Sequence, residues 1–202
     1  MYTSRPGLIL GFHGTDASVV SKVVSQTEPL QFNNNTWDWL GHGAYFWEHS
    51  PSRALEYAQT AAKRTGSTIK EPAVLGAVLE LGHCLDLLDY QNLSLLRMGY
   101  HALTNGTGRS RLKIPQNRST PTGDANDLLL RELDCAVIEI VHSMFRENDR
   151  RPFDSVKGVF WEGDLLYPTA GFREKNHIQI CVRNPNCIKG LFIPRNLTDF
   201  RG

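Results

Sequence analysis

The sequence predicts an α+β fold, a mixed sheet with helices set against it. Three observations carry this. Strand-like runs lie near both ends of the chain, at Leu8–His13 and His177–Val182. Helix-like stretches lie between them. Helices do not separate the strands at regular intervals, which disfavours a doubly wound parallel sheet. The 202 residues suffice for one domain with a full core, and we take 1–202 as a single unit.

The elements follow in order. Leu8–His13 reads as a strand ending at Gly14. Asp16-Ala17-Ser18 opens a short helix, with Val19, Val20, Val23 and Val24 on one face. Residues Gln31–Gly43 are polar and turn-rich, with Trp37 and Trp39 among them, and read as a loop. Ala44–Trp47 is a short strand. Ser50-Pro51 starts a helix that runs to Arg64.

Pro72–Leu81 reads as a strand broken by Gly82, and Leu85–Leu88 as a short segment. Tyr90–Leu103 reads as a helix, and Asp124–Arg131 as the start of another. Ala136–Val141 is strand or helix, since a six-residue apolar run does not decide. Val156–Trp161 reads as a strand. In His177–Val182, Ile178, Ile180 and Val182 alternate with His177, Gln179 and Cys181. Gly190–Ile193 reads as the last strand.

Composition is that of an ordinary soluble globular protein, with 41% apolar and 21% charged residues. The net charge of +1 gives no global attraction for nucleic acid or anionic membrane, so such binding needs a local patch. No apolar run approaches the ~20 residues of a membrane span. The N-terminal run around Leu8-Ile9-Leu10 is too short for a signal-peptide core of roughly 7–15 residues. The expected compartment is the cytoplasm.

The four cysteines, Cys84, Cys135, Cys181 and Cys187, have no CxxC spacing. Three sit in apolar runs, which suits buried reduced thiols and raises their pKa. His42, His49 and His83-Cys84 match no metal-site spacing, so no metal is expected.

Thr104–Gly123 is the longest irregular stretch. It carries Arg109, Arg111, Lys113 and Arg118 and no acidic residue. Two readings stand side by side: a solvated insertion, or a clamp for the phosphate of a cofactor or of nucleic acid.

Two short motifs point to chemistry. In Gly11-Phe12-His13-Gly14-Thr15, a histidine at a strand end can bond a ligand, and the following glycine permits close approach. In Gly41-His42-Gly43-Ala44-Tyr45-Phe46-Trp47, glycines precede an aromatic strand that can stack on a planar ligand. Each is weak alone: a buried histidine and a glycine turn explain them as well.

Together, roughly thirty residues apart, they resemble the HG[ST] and GxGxYF motifs of ADP-ribosyltransferases of the poly(ADP-ribose) polymerase and diphtheria-toxin type. Ser52–Tyr57 is similar to that group's following helix, with Tyr57 one residue further along than usual. Asn176–Val182, followed by Asn186–Lys189, looks like the final motif strand and the strand after it. Aligned on Asn176 and Lys189, the group's catalytic glutamate falls on His177. The His-Tyr-Glu triad would here be His13, Tyr45 and His177. Gln179 takes the place if the register slips by two, because it shares that face. Glu162, Asp164 and Glu174 are the nearest carboxylates that could stand in, although solvated loop charges are the simpler explanation.

The resemblance implies a split, mixed or antiparallel sheet flanked by helices, and NAD⁺ as co-substrate. It implies cleavage of the nicotinamide–ribose bond and transfer of one ADP-ribose to a macromolecular acceptor, protein or RNA. His13 would bond the adenine-side ribose and the Gly14 backbone the nicotinamide amide. Tyr45 and Tyr57 would stack on the ring, with Thr15, Gly43 and Phe46 completing the pocket. Trp161–Lys175, with Tyr167 and Phe172, would meet the acceptor, and the basic loop could contact RNA. Small members of this group act as bacterial toxins held by an antitoxin or immunity partner. The alternative, favoured by the missing glutamate, is an inactive module that binds NAD⁺ or ADP-ribose.

Overall fold

A computed structural model describes residues 7–110, 113–119 and 128–195, without the side chains of 107–110. In chain order the elements are β1 (Ile9–Asp16), α1 (Ala17–Val24), β2 (Ala44–Glu48), α2 (Pro51–Ala62), β3 (Pro72–Leu79), β4 (Cys84–Asp86) and α3 (Tyr90–Ser110). There follow β5 (Asn117–Arg118), β6 (Leu130–Arg131), α4 (Glu132–Glu147), β7 (Ser155–Phe160), β8 (His177–Val182) and β9 (Ile188–Phe192). The main sheet has the order β4-β7-β8-β2-β1-β3-β9, and β5-β6 form a separate ribbon. Only β4 and β7 pair in parallel; the other neighbours are antiparallel. The fold is α+β with a mixed sheet, as the sequence predicts. No helix of the described residues is long and apolar enough to cross a membrane.

Alternation along the strands gives the sheet two faces. The back face carries Ala44, Phe46, Ala77, Leu79, Ile180 and Val182 as one buried cluster. Val20 and Val23 of α1 pack there on Leu75. The front face carries Val156 and Cys181 under Leu40, Leu85, Ile138 and Val141. It also holds Phe12 and Trp47 under Ala54 of α2.

Local chemistry explains the elements around β1. Asp16 ends the strand and caps α1, accepting from the Ser18 N–H at 2.9 Å and the Ser18 hydroxyl at 2.6 Å. Its second oxygen accepts from the N–H groups of Lys70 and Glu71, at 2.7 and 2.9 Å. The Glu71 N–H first, with the others, holds this carboxyl well below the usual range. α2 begins at Pro51 and buries only small residues, Ala54, Ala58 and Ala61. Gly14 is the reason: a Cβ there would lie 2.0 Å from the Ala54 carbonyl oxygen.

The structure corrects several boundaries. α3 continues to Ser110, so the first part of the stretch read as irregular is helix. Arg109 falls at its end with its side chain outside the described residues, and Arg111 lies outside them altogether. Residues 128–129 are not helical, and Leu130–Arg131 pair with Asn117–Arg118. The helix expected from Asp124 therefore begins at Glu132; residues 124–127 lie outside the described set. Asn117 sets that start, since its side-chain oxygen accepts from the Leu133 and Asp134 N–H groups. Ala136–Val141 is helix, inside α4. Trp161–Lys175 folds back on itself, with the Lys175 N–H on the Glu162 carbonyl and the Glu174 N–H on that of Asp164.

Candidate functional site

The three motifs land on three neighbouring strands, β1, β2 and β8. β2 and β8 pair along their length, with Tyr45 opposite Cys181 and Trp47 opposite Gln179. β1 and β2 pair only at Gly11–Glu48 and Phe12–Trp47. Beyond Phe12 these two strands part, and a side chain spans the gap: His13 Nδ1 lies 2.8 Å from the Tyr45 carbonyl oxygen. A carbonyl only accepts, so Nδ1 carries the proton. Burial lowers the His13 pKa against the pull of that hydrogen bond, so the ring is neutral and Nε2 is a bare acceptor.

The motif side chains do not share one face. His13 sits against Phe46 on the back face, ring centroids 5.9 Å apart, and Thr15 follows it by alternation. Tyr45 points to the front. Its hydroxyl accepts from the Leu40 N–H at 2.9 Å and donates to the Gly41 carbonyl at 2.8 Å. Burial raises its pKa well above the ordinary phenol. Phe46, expected at the ligand, is fully buried in the back core.

The motif glycines serve packing. Gly14 admits α2. A Cβ at Gly43 would lie 2.3 Å from the Val182 carbonyl oxygen. Gly41, at φ +82°, would press one against Glu139 and Arg183. Those two side chains clamp the turn. Arg183 meets both Glu139 oxygens at 2.5 and 2.9 Å and donates to the His42 carbonyl at 3.0 Å. Glu139 accepts from the His42 N–H at 2.9 Å. Burial opposes ionisation of Glu139, but the Arg183 and His42 hydrogen bonds outweigh it and its pKa is lowered.

The front face between α2 and β8 is chemically different. Trp47 is buried, with Tyr57 at 5.1 Å and His177 at 6.1 Å between ring centroids. Phe160 stacks on His177 at 5.5 Å and 19°. The Arg53 guanidinium lies over Trp47 at 5.9 Å and pairs with Glu162. Lys175 pairs with Glu56 at 2.9 Å, and that bond lowers the Glu56 pKa and raises that of Lys175. His177 Nδ1 donates to the Lys175 carbonyl at 2.6 Å. Burial pushes the His177 pKa down to about 4, with the Lys175 carbonyl opposing. A neutral imidazole thus stands at the position aligned with the glutamate.

Three buried polar atoms of this cluster have no hydrogen-bond partner: Trp47 Nε1, Arg53 Nε and His177 Nε2. The set offers two donors and one acceptor. Buried polar atoms without partners are costly, so such a set marks a place suited to a polar ligand.

Gln179, the second candidate for the glutamate position, accepts from Trp39 Nε1 at 2.6 Å. Of the loop carboxylates, Glu162 reaches the cluster through Arg53, while Asp164 and Glu174 are exposed. Tyr167 and Phe172 are exposed as well. Sequence reasoning gives Trp47, Arg53 and Trp39 no role of their own at the site. Two of them had a signal: Trp47 follows Tyr45 by two on one strand face, and Arg53 precedes Tyr57 by four on one helix face.

All four cysteines are free and buried. Burial pushes Cys135 up to about 12 and Cys187 to about 11, which removes them as thiolate nucleophiles.

The chain is 26% identical over 201 residues to an uncharacterized protein of Methanocaldococcus jannaschii, with 89% of this chain and 84% of that one covered. No family model matches it. No solved structure matches it.

Proposed function

We propose that the protein is a mono-ADP-ribosyltransferase that uses NAD⁺ and a macromolecular acceptor. The observation that carries this is the convergence of three motifs, far apart in sequence, on the adjacent strands β1, β2 and β8, with His13 spanning the split between the first two.

The chemistry follows from the side chains. The acceptor's O–H or N–H attacks C1′ of the nicotinamide riboside. The C1′–N bond breaks, its electron pair leaves with nicotinamide, and the acceptor's proton passes to solvent. His13 Nε2 accepts from a ribose hydroxyl, and the edge of β1 at Gly14 and Thr15 faces the split. Trp47 and Tyr57 supply the aromatic walls near the nicotinamide, and Tyr45 holds the turn that shapes them. His177 Nε2 accepts from a ribose hydroxyl beside the reacting carbon. It brings no negative charge, so catalysis rests on positioning more than on charge stabilisation. Transfer of one unit, and a role as a toxin restrained by an antitoxin or immunity partner in the cytoplasm, belong to the same proposal.

A second reading has its own observation. Neither His177 nor Gln179 is a carboxylate, and Glu162 is engaged by Arg53. An NAD⁺- or ADP-ribose-binding module without turnover fits that arrangement. Nicotinamide release from NAD⁺, followed by chromatography, separates the two. The transferase predicts release that falls at least tenfold in His13→Ala. Calorimetric NAD⁺ binding with no release, with lysate supplied as acceptor, sides with the binding module.

A further inference from the structure

We propose that the groove between α3 and α4 holds a nucleotide of single-stranded RNA, and that this RNA is the acceptor. The second clause rests on the transferase activity proposed above; the first does not.

The groove encloses about 530 Å³, within the range of small-molecule sites. Leu87, Leu96, Val137 and Ile138 make it apolar, and Tyr100 stands at its wall, 42% exposed. Trp39 and Arg131 also line it. The Arg131 guanidinium lies 5.2 Å from the Trp39 centroid and 4.2 Å from that of Phe160. An apolar slot with aromatic faces and a stacked guanidinium suits a flat heteroaromatic ring.

Charge selects among flat rings. Arg97 lines the groove, is exposed, and has no partner among the described residues. A purely apolar protein partner would strip water from that guanidinium and return nothing. A base with its phosphate satisfies both features.

Of the basic stretch noted in the sequence, the described residues 113–119 come to the same place. Asn117 donates to the Asp134 carboxylate at 2.8 Å and caps α4 through the Leu133 and Asp134 N–H groups. Leu133 and Asp134 line the groove. Arg118 follows, exposed and paired with Glu132 at 2.7 Å. Lys113 is exposed four residues before Asn117, at most ~14 Å of chain away. A strand leaving the groove on that side meets further cations.

The groove also adjoins the front-face cluster. Trp39 bonds Gln179, and Phe160 has Arg131 on its ring and His177 stacked on it. A nucleotide in the groove therefore lies within a few ring widths of His177. Every RNA nucleotide carries a 2′-hydroxyl, and several bases carry amines, so the polymer brings its own nucleophile.

The test is fluorescence anisotropy of the full chain with end-labelled RNA of about a dozen nucleotides. The single strand is expected to bind more tightly than its duplex, with affinity falling as salt rises. Tyr100→Ala and Arg97→Glu, both at exposed positions, should each weaken binding about tenfold while the thermal unfolding curve stays in place. Absence of single-strand binding, or binding that neither substitution moves, overturns the proposal and leaves the groove to a protein partner. Nicotinamide release is read in parallel with and without RNA. If RNA binds and release is absent in both, the groove stands and the transferase falls; if release persists and RNA does not bind, only the groove proposal falls.

Discussion

The turn that leads into β2 and the cluster around Trp47 of that strand are close neighbours in the chain, yet they treat polar groups in opposite ways. Around Gly41–Tyr45 the polar groups are matched within the protein: the Tyr45 hydroxyl bonds twice, and Glu139 and Arg183 close on His42. Around Trp47 the atoms Trp47 Nε1, Arg53 Nε and His177 Nε2 are left unmatched. On the reading proposed above, the contrast separates scaffold from site. Gly41, Gly43 and Tyr45 build the frame, and the unmatched polar atoms gather around Trp47, two residues further along the strand.

Substitutions break or sharpen that contrast. The largest effect is expected at Gly14→Ala, where the new methyl meets the Ala54 backbone and has nowhere to move. A loss of about 3 kcal/mol is predicted from urea unfolding. Glu139→Ala strips the partner from Arg183 and from the His42 N–H. About 2 kcal/mol is expected, below a fully buried pair because the Glu139 side chain is 24% exposed. Comparable losses at both positions, with NAD⁺ affinity falling only in proportion to the folded fraction, would support a scaffold role.

The site half responds to pH. The folded His177 pKa, about 4, lies below the unfolded value near 6.5, so protons favour the unfolded chain. Stability is flat above pH 6.5 and falls as pH drops toward 4. His142, buried and pushed down to about 3, extends the loss further. At the acid end of the window each histidine accounts for at most about 3 kcal/mol. Urea midpoints from pH 7 to 4 should flatten in His177→Gln; an unchanged slope would show that the imidazole is already free to protonate in the fold. The smallest effect is expected at Tyr45→Phe, about 1 kcal/mol from two hydrogen bonds, with nicotinamide release kept within about threefold. A much larger catalytic loss would move the phenol from scaffold to site.

This contrast also explains how much the sequence could disclose. β2 and β8 were readable because period-two alternation survives in short strands: Ala44–Glu48 and His177–Val182 differ from expectation by a residue at most. The start of α4 was not readable, because its cap is Asn117, a side chain from a distant ribbon. The sequence does not disclose what the motif glycines admit, since a glycine looks the same whether a helix, a strand or a nicotinamide ring approaches it; in the structure Gly14 lies against α2 and Gly43 against β8. Trp47 and Arg53 take no role of their own from the sequence because the family motif stops at Phe46 and the helix match rests on Tyr57, although alternation and helical spacing place both beside Tyr57.

One measurement addresses the central claim, that His177 occupies the reaction centre of an NAD⁺-cleaving site. It is nicotinamide release by the wild type, His177→Ala and His177→Glu, with NAD⁺ binding measured for each. The account predicts release that disappears in His177→Ala and rises about tenfold or more in His177→Glu, where the carboxylate can stabilise developing positive charge. Release by His177→Ala equal to the wild type, or none from wild type and His177→Glu despite bound NAD⁺, would contradict it.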